Sequence, residues 1–417
     1  MSGTAIAQVI GFALSPVISR LFSPSDFGVS GSFGAISGII AAGATLEYSQ
    51  AIMLPKEKEK ALNLLAFSFM CTLVVSFLCL LACLVAPTTI NSIMKTDGTW
   101  PLMLLVAATL VSGVNSSCQA WAVRVKAFKH TSASQVIRSL TANGSRIGFG
   151  FLRTGAAGLI ISNVMADMVA SINLIRVLIP DVLRLRDRVR WHLIKQLARE
   201  YRDFPMYSAS QNVINALSSG LPILLLTRFF GISVAGAYAF AMTVLNVPMG
   251  FILSALRQVL FQKASENQHQ GGSLAALYVK ITAGLFATAL LPSIILIIWA
   301  PQLFTWIFGP QWHLAGEFAR SLIIWLAVYF CNVPAVLFAR IIRIQRFVFF
   351  YDITLLIARS SVLLVGGFFL GALQTVWIFA LVGAVMNTIL IFRVGYAVMK
   401  KEGRVDLNSL RDFLELK

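Results

Sequence analysis

The stretch Ala61-Leu62-Asn63-Leu64-Leu65-Ala66-Phe67-Ser68-Phe69-Met70-Cys71-Thr72-Leu73-Val74-Val75-Ser76-Phe77-Leu78-Cys79-Leu80-Leu81-Ala82-Cys83-Leu84-Val85-Ala86 carries no charged side chain. As a helix it is long enough to cross a hydrocarbon core of roughly 30 Å, for which about 20 apolar residues suffice. Lys56, Lys58 and Lys60 precede it, and the next charge after it is Lys95. Working outward, the same alternation of apolar run and polar break predicts twelve membrane spans, at 3–19, 27–47, 61–86, 101–120, 134–152, 156–178, 206–227, 235–256, 281–299, 318–339, 347–370 and 373–392. The expected fold class is therefore all-α integral membrane. The composition agrees: of 417 residues, 58% are hydrophobic and only 12% charged, against roughly 25% charged in a soluble domain. A formal net charge of +17 would suggest nucleic acid as partner of a soluble chain, but the placement of the charges excludes that.

Of the 34 Lys and Arg, 25 fall in one set of alternate loops and the C-terminal tail, and five (Arg20, Lys95, Arg153, Arg228 and Arg320) on the opposite side. Basic short loops stay in the cytoplasm, so both termini are expected there. The first apolar run begins at Gly3 without a basic stretch before it, so no cleavable signal peptide is read. The longest hydrophilic segment, Pro180 to Pro205, divides the chain into an N-terminal six-helix lobe (1–180), a basic connector (181–205), a second six-helix lobe (206–395) and a tail (396–417). Within the connector, Leu183, Leu185, Val189, Trp191, Leu193, Ile194 and Leu197 alternate with arginines. That pattern suits either an interfacial helix on anionic headgroups or a solvated link.

A constant offset of 208 residues superposes Arg20-Leu21-Phe22 and Gly28 on Arg228-Phe229-Phe230 and Gly236, and Gln50 on Gln258. The matches fall at the first-to-second and seventh-to-eighth connections. Six spans per repeat is even, so the expected relation between lobes is a pseudo-two-fold along the membrane normal, as in transporters.

Polar side chains inside spans point to a cavity or to another helix, because an unpaired hydroxyl or amide in hydrocarbon costs a few kcal/mol. Thr4, Gln8, Ser15 and Ser19 share one face of the first span, and Ser208, Gln211, Asn215 and Ser218 one face of the seventh. Gln135, Ser139 and Arg146 do so in the fifth, and Asn163, Asp167 and Ser171 in the sixth. Interhelical hydrogen bonding explains a single Ser or Thr more readily than a ligand does; the clustering favours a cavity lined by Gln8, Gln211 and Asn215. Arg146 and Arg359 lie deep, where an unpaired Arg costs roughly 2.5 to 3.5 kcal/mol, and Arg138 lies nearer the basic end. Two readings are open. Asp167 and Asp352 neutralise these arginines as structural ion pairs, or the guanidinium groups form a cationic cavity for an anionic headgroup. Glu47, Asp167 and Asp352 are the deep acids able to carry a coupling proton or cation. Gly34 and Gly38 form a GxxxG pair expected to let helices approach closely.

Cys71, Cys79, Cys83, Cys118 and Cys331 lie in or beside apolar runs and read as packing residues. His130, His192, His269 and His313 form no metal-ligand pattern, and no nucleotide-binding or nucleophile-elbow motif occurs. External loops are short, the longest being about 87–100 and 300–317. The chain is expected not to be an enzyme and to need no cofactor beyond coupling to a proton or sodium gradient.

Particular strings go further. Ser2-Gly3-Thr4-Ala5-Ile6-Ala7-Gln8, Ser15-Pro16 and Arg20-Leu21-Phe22-Ser23-Pro24-Ser25-Asp26-Phe27-Gly28 resemble the start of Wzx-type oligosaccharide flippases, polysaccharide transporters of the MOP (MATE-like) superfamily. Glu47-Tyr48 leading to Ala51-Ile52-Met53-Leu54-Pro55-Lys56, Tyr201-Arg202-Asp203-Phe204-Pro205, and Phe308-Gly309 with Trp312 and Ala315-Gly316 are similar to family strings as well. Family members usually carry several more residues, often basic, before the Ser2-Gly3-Thr4 string, and this sequence departs from that pattern. The resemblance implies movement of undecaprenyl-pyrophosphate-linked oligosaccharide from the cytoplasmic to the periplasmic leaflet of the bacterial inner membrane by alternating access, for O-antigen or another surface polysaccharide. The partners it implies are that lipid-linked oligosaccharide, membrane lipids, and the polymerase and glycosyltransferases of the same pathway, with no nucleic acid. The alternatives are a MATE-like exporter of another small molecule and a membrane-embedded polymerase or transferase.

Overall fold

A computed structural model describes residues 2–269, 273–342 and 344–415, with the side chains at 2, 4, 186, 251–269, 340, 341, 345 and 403–415 left undescribed. Sixteen α-helices run in order: α1 Ser2–Leu21, α2 Pro24–Gly43, α3 Tyr48–Ala51, α4 Lys58–Val85, α5 Pro87–Met94, α6 Trp100–Arg124, α7 Phe128–Phe151, α8 Ala156–Leu185, α9 Trp191–Glu200, α10 Ser210–Phe230, α11 Ile232–His269, α12 Leu274–Phe308, α13 His313–Cys331, α14 Val333–Ile341, α15 Gln345–Phe369 and α16 Ala372–Glu415. Every expected span is helical. Among the described residues nine helical stretches are long and apolar enough to cross a membrane, and Ala5–Leu21 is a shorter apolar one. Gly and Ser dilute α2, and α7 is crowded with Ser, Asn and Arg. The tenth expected span is two helices. Pro334 has no N–H to give the carbonyl one turn back and disfavours helix at the residue before it, so the chain breaks at Asn332 and restarts with Pro334 in the first turn of α14.

By contact the chain divides into Met1–Ala239 and Phe240–Lys417. The first unit holds α10 because that helix packs antiparallel on α2. Gly220 meets Ala35 and Ile39, and the Ser32 and Thr227 hydroxyls share a buried hydrogen bond of 3.0 Å. α1 lies parallel to α7, with the Ser139 hydroxyl donating to the Ala7 carbonyl at 2.7 Å and Gly11 facing Asn143. α4 and α6 are antiparallel through Ser68 and Ser117, 2.8 Å apart. Gly34 and Gly38 have nothing near enough for a close approach to use, because spacing alone does not say which face of α2 is covered. The close crossing is nearly two turns earlier. A Cβ on Gly28 would overlap the carbonyl oxygen of Ile232, and one on Gly236 the carbonyl oxygen of Pro24. The offset of 208 residues carries the first contact into the second, so the starts of α2 and α11 meet through a local two-fold. Gln258, the match to Gln50, lies outside the described side chains.

The connector docks on this unit. α9 buries Ile194 and Leu197, the latter in the apolar cluster of α4 and α6, and leaves Trp191 exposed. The Tyr48 hydroxyl donates to the Ala198 carbonyl at 2.9 Å, and buried Asn63 holds the approach to α9, accepting from the Arg190 N–H at 2.9 Å and donating to the Arg188 carbonyl at 3.1 Å. Arg124, ending α6, donates to the carbonyls of Ile52 and Pro55, each at 2.6 Å. A planar guanidinium reaches both at once, while an ammonium serves as a single point. Arg124→Ala is expected to destabilise the chain by about 2–3 kcal/mol and Arg124→Lys to recover less than half, as read from unfolding in detergent.

In the second unit α12, α13 and α16 pack together. The ring of Phe240 stacks on Trp312 at 3.9 Å between centroids and meets Phe304 and Phe308 edge-on. Deeper, Asn332 donates to Asn387, which donates to the Gly383 carbonyl at 2.6 Å, so the polar groups at the helix break are satisfied within the core.

Candidate functional site

α7 and α8 form an antiparallel hairpin. Its register is set by Asn173 donating to the Ser134 hydroxyl at 2.7 Å near one end and by Gly158 against Phe149 near the other. It brings Arg138 opposite Asp167, and the Arg138 Nε donates to the Asp167 carboxylate. α6 joins them, because Asn115 donates to the Ser171 hydroxyl at 3.0 Å and Ser171 to the Asp167 carbonyl at 2.7 Å. Between α6 and α7 a groove of about 240 Å³ remains, lined by Ser112, Asn115, Ser116 and Gln119 of α6, Gln135 and Arg138 of α7, and Asp167 of α8. Arg138 stands ten residues into α7, about 15 Å along the helix axis, and the groove runs beside it.

Arg146, two turns beyond Arg138, faces amides. It donates to Asn163 at 2.6 Å and more weakly to Asn143 at 3.5 Å. Asn143 donates in turn to the Ser139 carbonyl at 2.8 Å, which ties the arginine to the α1 contact. The expectation that Asp167 neutralises Arg146 is corrected: the hairpin register gives Asp167 to Arg138 and places Asn163 one turn farther along, opposite Arg146. Two polar atoms here are buried without a hydrogen-bond partner among the described residues, Arg146 Nε and Gln8 Oε1. The other described hydroxyls of the α1 stripe serve their own helix, Ser15 donating to the Phe12 carbonyl at 2.7 Å and Ser19 to that of Pro16 at 3.0 Å.

The remaining candidates lie elsewhere. Gln211 and Asn215 are exposed on α10. Glu47 occupies the left-handed turn between α2 and α3, with φ of 60°. Arg359 of α15 belongs to the second unit, is only 8% exposed, and has its guanidinium carbon 3.6 Å from the ring centroid of Trp325 and 3.8 Å from that of Phe379. The expected ion pair with Asp352 is not formed. Asp352 makes none among the described residues, and two aromatic faces are among the partners of the Arg359 charge. Sequence reading passed over the α6 stripe, although Ser112, Asn115, Ser116 and Gln119 recur at the three-to-four-residue spacing that marked α1 and α10.

Residues 17–317 match the family model described as polysaccharide biosynthesis protein, while no curated protein matches. Among solved structures the chain is similar to an inward-facing multidrug resistance MATE family transporter of the MOP superfamily (17% identity, TM-score 0.71, covering 94% of this chain and 95% of that one). It is similar to the lipid II flippase MurJ in an inward closed conformation (10% identity, TM-score 0.74, 97% and 92%). An outward-facing MATE transporter of the same superfamily follows at 15% identity and TM-score 0.61, with 97% and 96% covered. At these identities the likeness is one of fold. The apolar helices make this a multi-pass membrane protein; with the fold of MOP-superfamily transporters, it belongs to the polysaccharide biosynthesis protein family.

Proposed function

We propose that this protein is a flippase that moves undecaprenyl-pyrophosphate-linked oligosaccharide units from the cytoplasmic to the periplasmic leaflet by alternating access, for the assembly of a surface polysaccharide. The observation that carries the reading is the polar groove lined by α6, α7 and α8, three helices that hold expected spans. A few sugars bear on the order of ten hydroxyls, each costing a few kcal/mol to carry bare through hydrocarbon; amides, hydroxyls and an ion pair in the groove replace the lost water. Arg146, held by Asn143 and Asn163 with its Nε–H among the donors left uncommitted, is the group assigned to the pyrophosphate. Phosphate oxygens suit a planar guanidinium.

The test is flipping in vesicles loaded with undecaprenyl-pyrophosphate-linked oligosaccharide, read by lectin access from outside. Wild-type protein accelerates exposure, and empty vesicles do not. Arg146→Ala lowers the rate about tenfold or more, and Arg146→Lys recovers only part because an ammonium does not present two parallel donors. Full activity of Arg146→Ala at normal expression removes the headgroup assignment, and no protein-dependent exposure at all removes the flippase reading. In cells, loss of the protein leaves single lipid-linked units on the cytoplasmic leaflet, whereas loss of a polymerase leaves them already translocated.

A further inference from the structure

We infer that the groove between α6 and α7 is a carbohydrate subsite, reading sugar hydroxyls and not the pyrophosphate; the inference rests on the cargo being a lipid-linked oligosaccharide. Charge is the first reason. Arg138 is paired with Asp167, so the groove is neutral although it contains an arginine. Hydrogen-bonding character is the second. A phosphate oxygen only accepts, and a site for it collects donors and keeps carboxylates away. Here Asp167 and three amide side chains, Asn115, Gln119 and Gln135, line the groove, and each amide carries an acceptor oxygen beside its NH₂ donors. A sugar hydroxyl donates and accepts at once, which is what a mixed lining satisfies.

Availability is the third reason. Gln119, Gln135, Ser112 and Ser116 form no side-chain hydrogen bond to protein among the described residues, and Asn115 has committed its NH₂ to Ser171 while its carbonyl oxygen has no protein donor. Amides left open between packed helices need water or a ligand. Ser112, Asn115 with Ser116, and Gln119 stand on successive turns of α6, about 5.4 Å apart, a rise comparable to the span of one pyranose ring. Successive sugars of a short chain can therefore each meet one turn.

The experiment titrates the full-length protein in lipid nanodiscs by intrinsic tryptophan fluorescence with two probes. One is the free oligosaccharide released by mild acid from the cell's own lipid-linked units, which has no phosphate and no lipid. The other is farnesyl pyrophosphate, which has no sugar. In Gln119→Leu/Gln135→Leu the oligosaccharide Kd rises about tenfold or more and the farnesyl pyrophosphate Kd moves less than twofold. An unchanged oligosaccharide Kd, or an equal loss for both probes, overturns the subsite. Asp167→Asn provides the second reading: with Arg138 released, farnesyl pyrophosphate binds several-fold tighter while the oligosaccharide weakens, and the reverse pattern overturns the assignment. The two failures are separable. Flipping in vesicles with oligosaccharide binding indifferent to the groove variants sinks the subsite alone, and no flipping with neither probe bound sinks the flippase reading.

Discussion

Gly28→Ala and Gly236→Ala are each expected to destabilise the protein by about 2–3 kcal/mol, at the upper end for one added methyl group. The reason is what the methyl meets. On Gly28 it overlaps the Ile232 carbonyl and on Gly236 the Pro24 carbonyl, both backbone atoms that no rotamer change moves aside. The helices must separate. Once separated for one methyl they accommodate the other, so the double variant should lose no more than about 1 kcal/mol beyond the worse single. Unfolding of the four proteins in detergent measures this, and simple additivity would show that the two contacts are independent rather than halves of one crossing. Gly34→Ala supplies the control: open space surrounds that position, and the gain in helix propensity should leave stability equal or raised by about 0.5–1 kcal/mol.

Arg359→Ala is expected to cost about 3–5 kcal/mol, since it empties the slot between Trp325 and Phe379 and removes a desolvated cation–π contact with each ring. Arg359→Met separates the two contributions. A flexible thioether of similar length refills much of the slot, so it should recover about half of the loss, leaving the polar and charge–ring interactions of the guanidinium as the remainder. Equal destabilisation by Ala and Met would place the whole effect in those interactions; a neutral Met variant would place it all in packing. The arginine is one of two that depth alone singled out. Their surroundings are unlike: Arg359 lies between rings, and Arg146 among amides with its Nε–H uncommitted.

Much of this fold is legible along the chain because a membrane span is a local property, set by length and the absence of charge. The run from Ala61 to Ala86 announces α4 without reference to any other residue, whereas the break that makes α13 and α14 out of the single expected span 318–339 does not show locally, since Pro16, Pro222 and Pro292 lie inside unbroken helices. The recurrence of Gly28 at Gly236 also shows in the sequence, and its meaning as a crossing point does not. Gly34 and Gly38 have the spacing of a packing motif, and an added Cβ at either would meet nothing within 4 Å among the described residues. The α6 stripe was equally visible by period, yet Asn and Ser in a span most often serve interhelical hydrogen bonds, as Ser117 does with Ser68.

The sequence by itself determined an all-helical membrane protein, its span positions, its charge asymmetry and its family strings, because each depends on a short window of residues and on the bilayer as solvent. Tertiary structure alone decided that Asp167 belongs to Arg138 and Asn163 to Arg146, that α10 lies on α2, and that α6 and α7 part to leave a polar groove. Those pairings depend on the rotation and register of one helix against another. A shift of one residue turns a side chain by about 100°, and no local pattern records which neighbour it will then face.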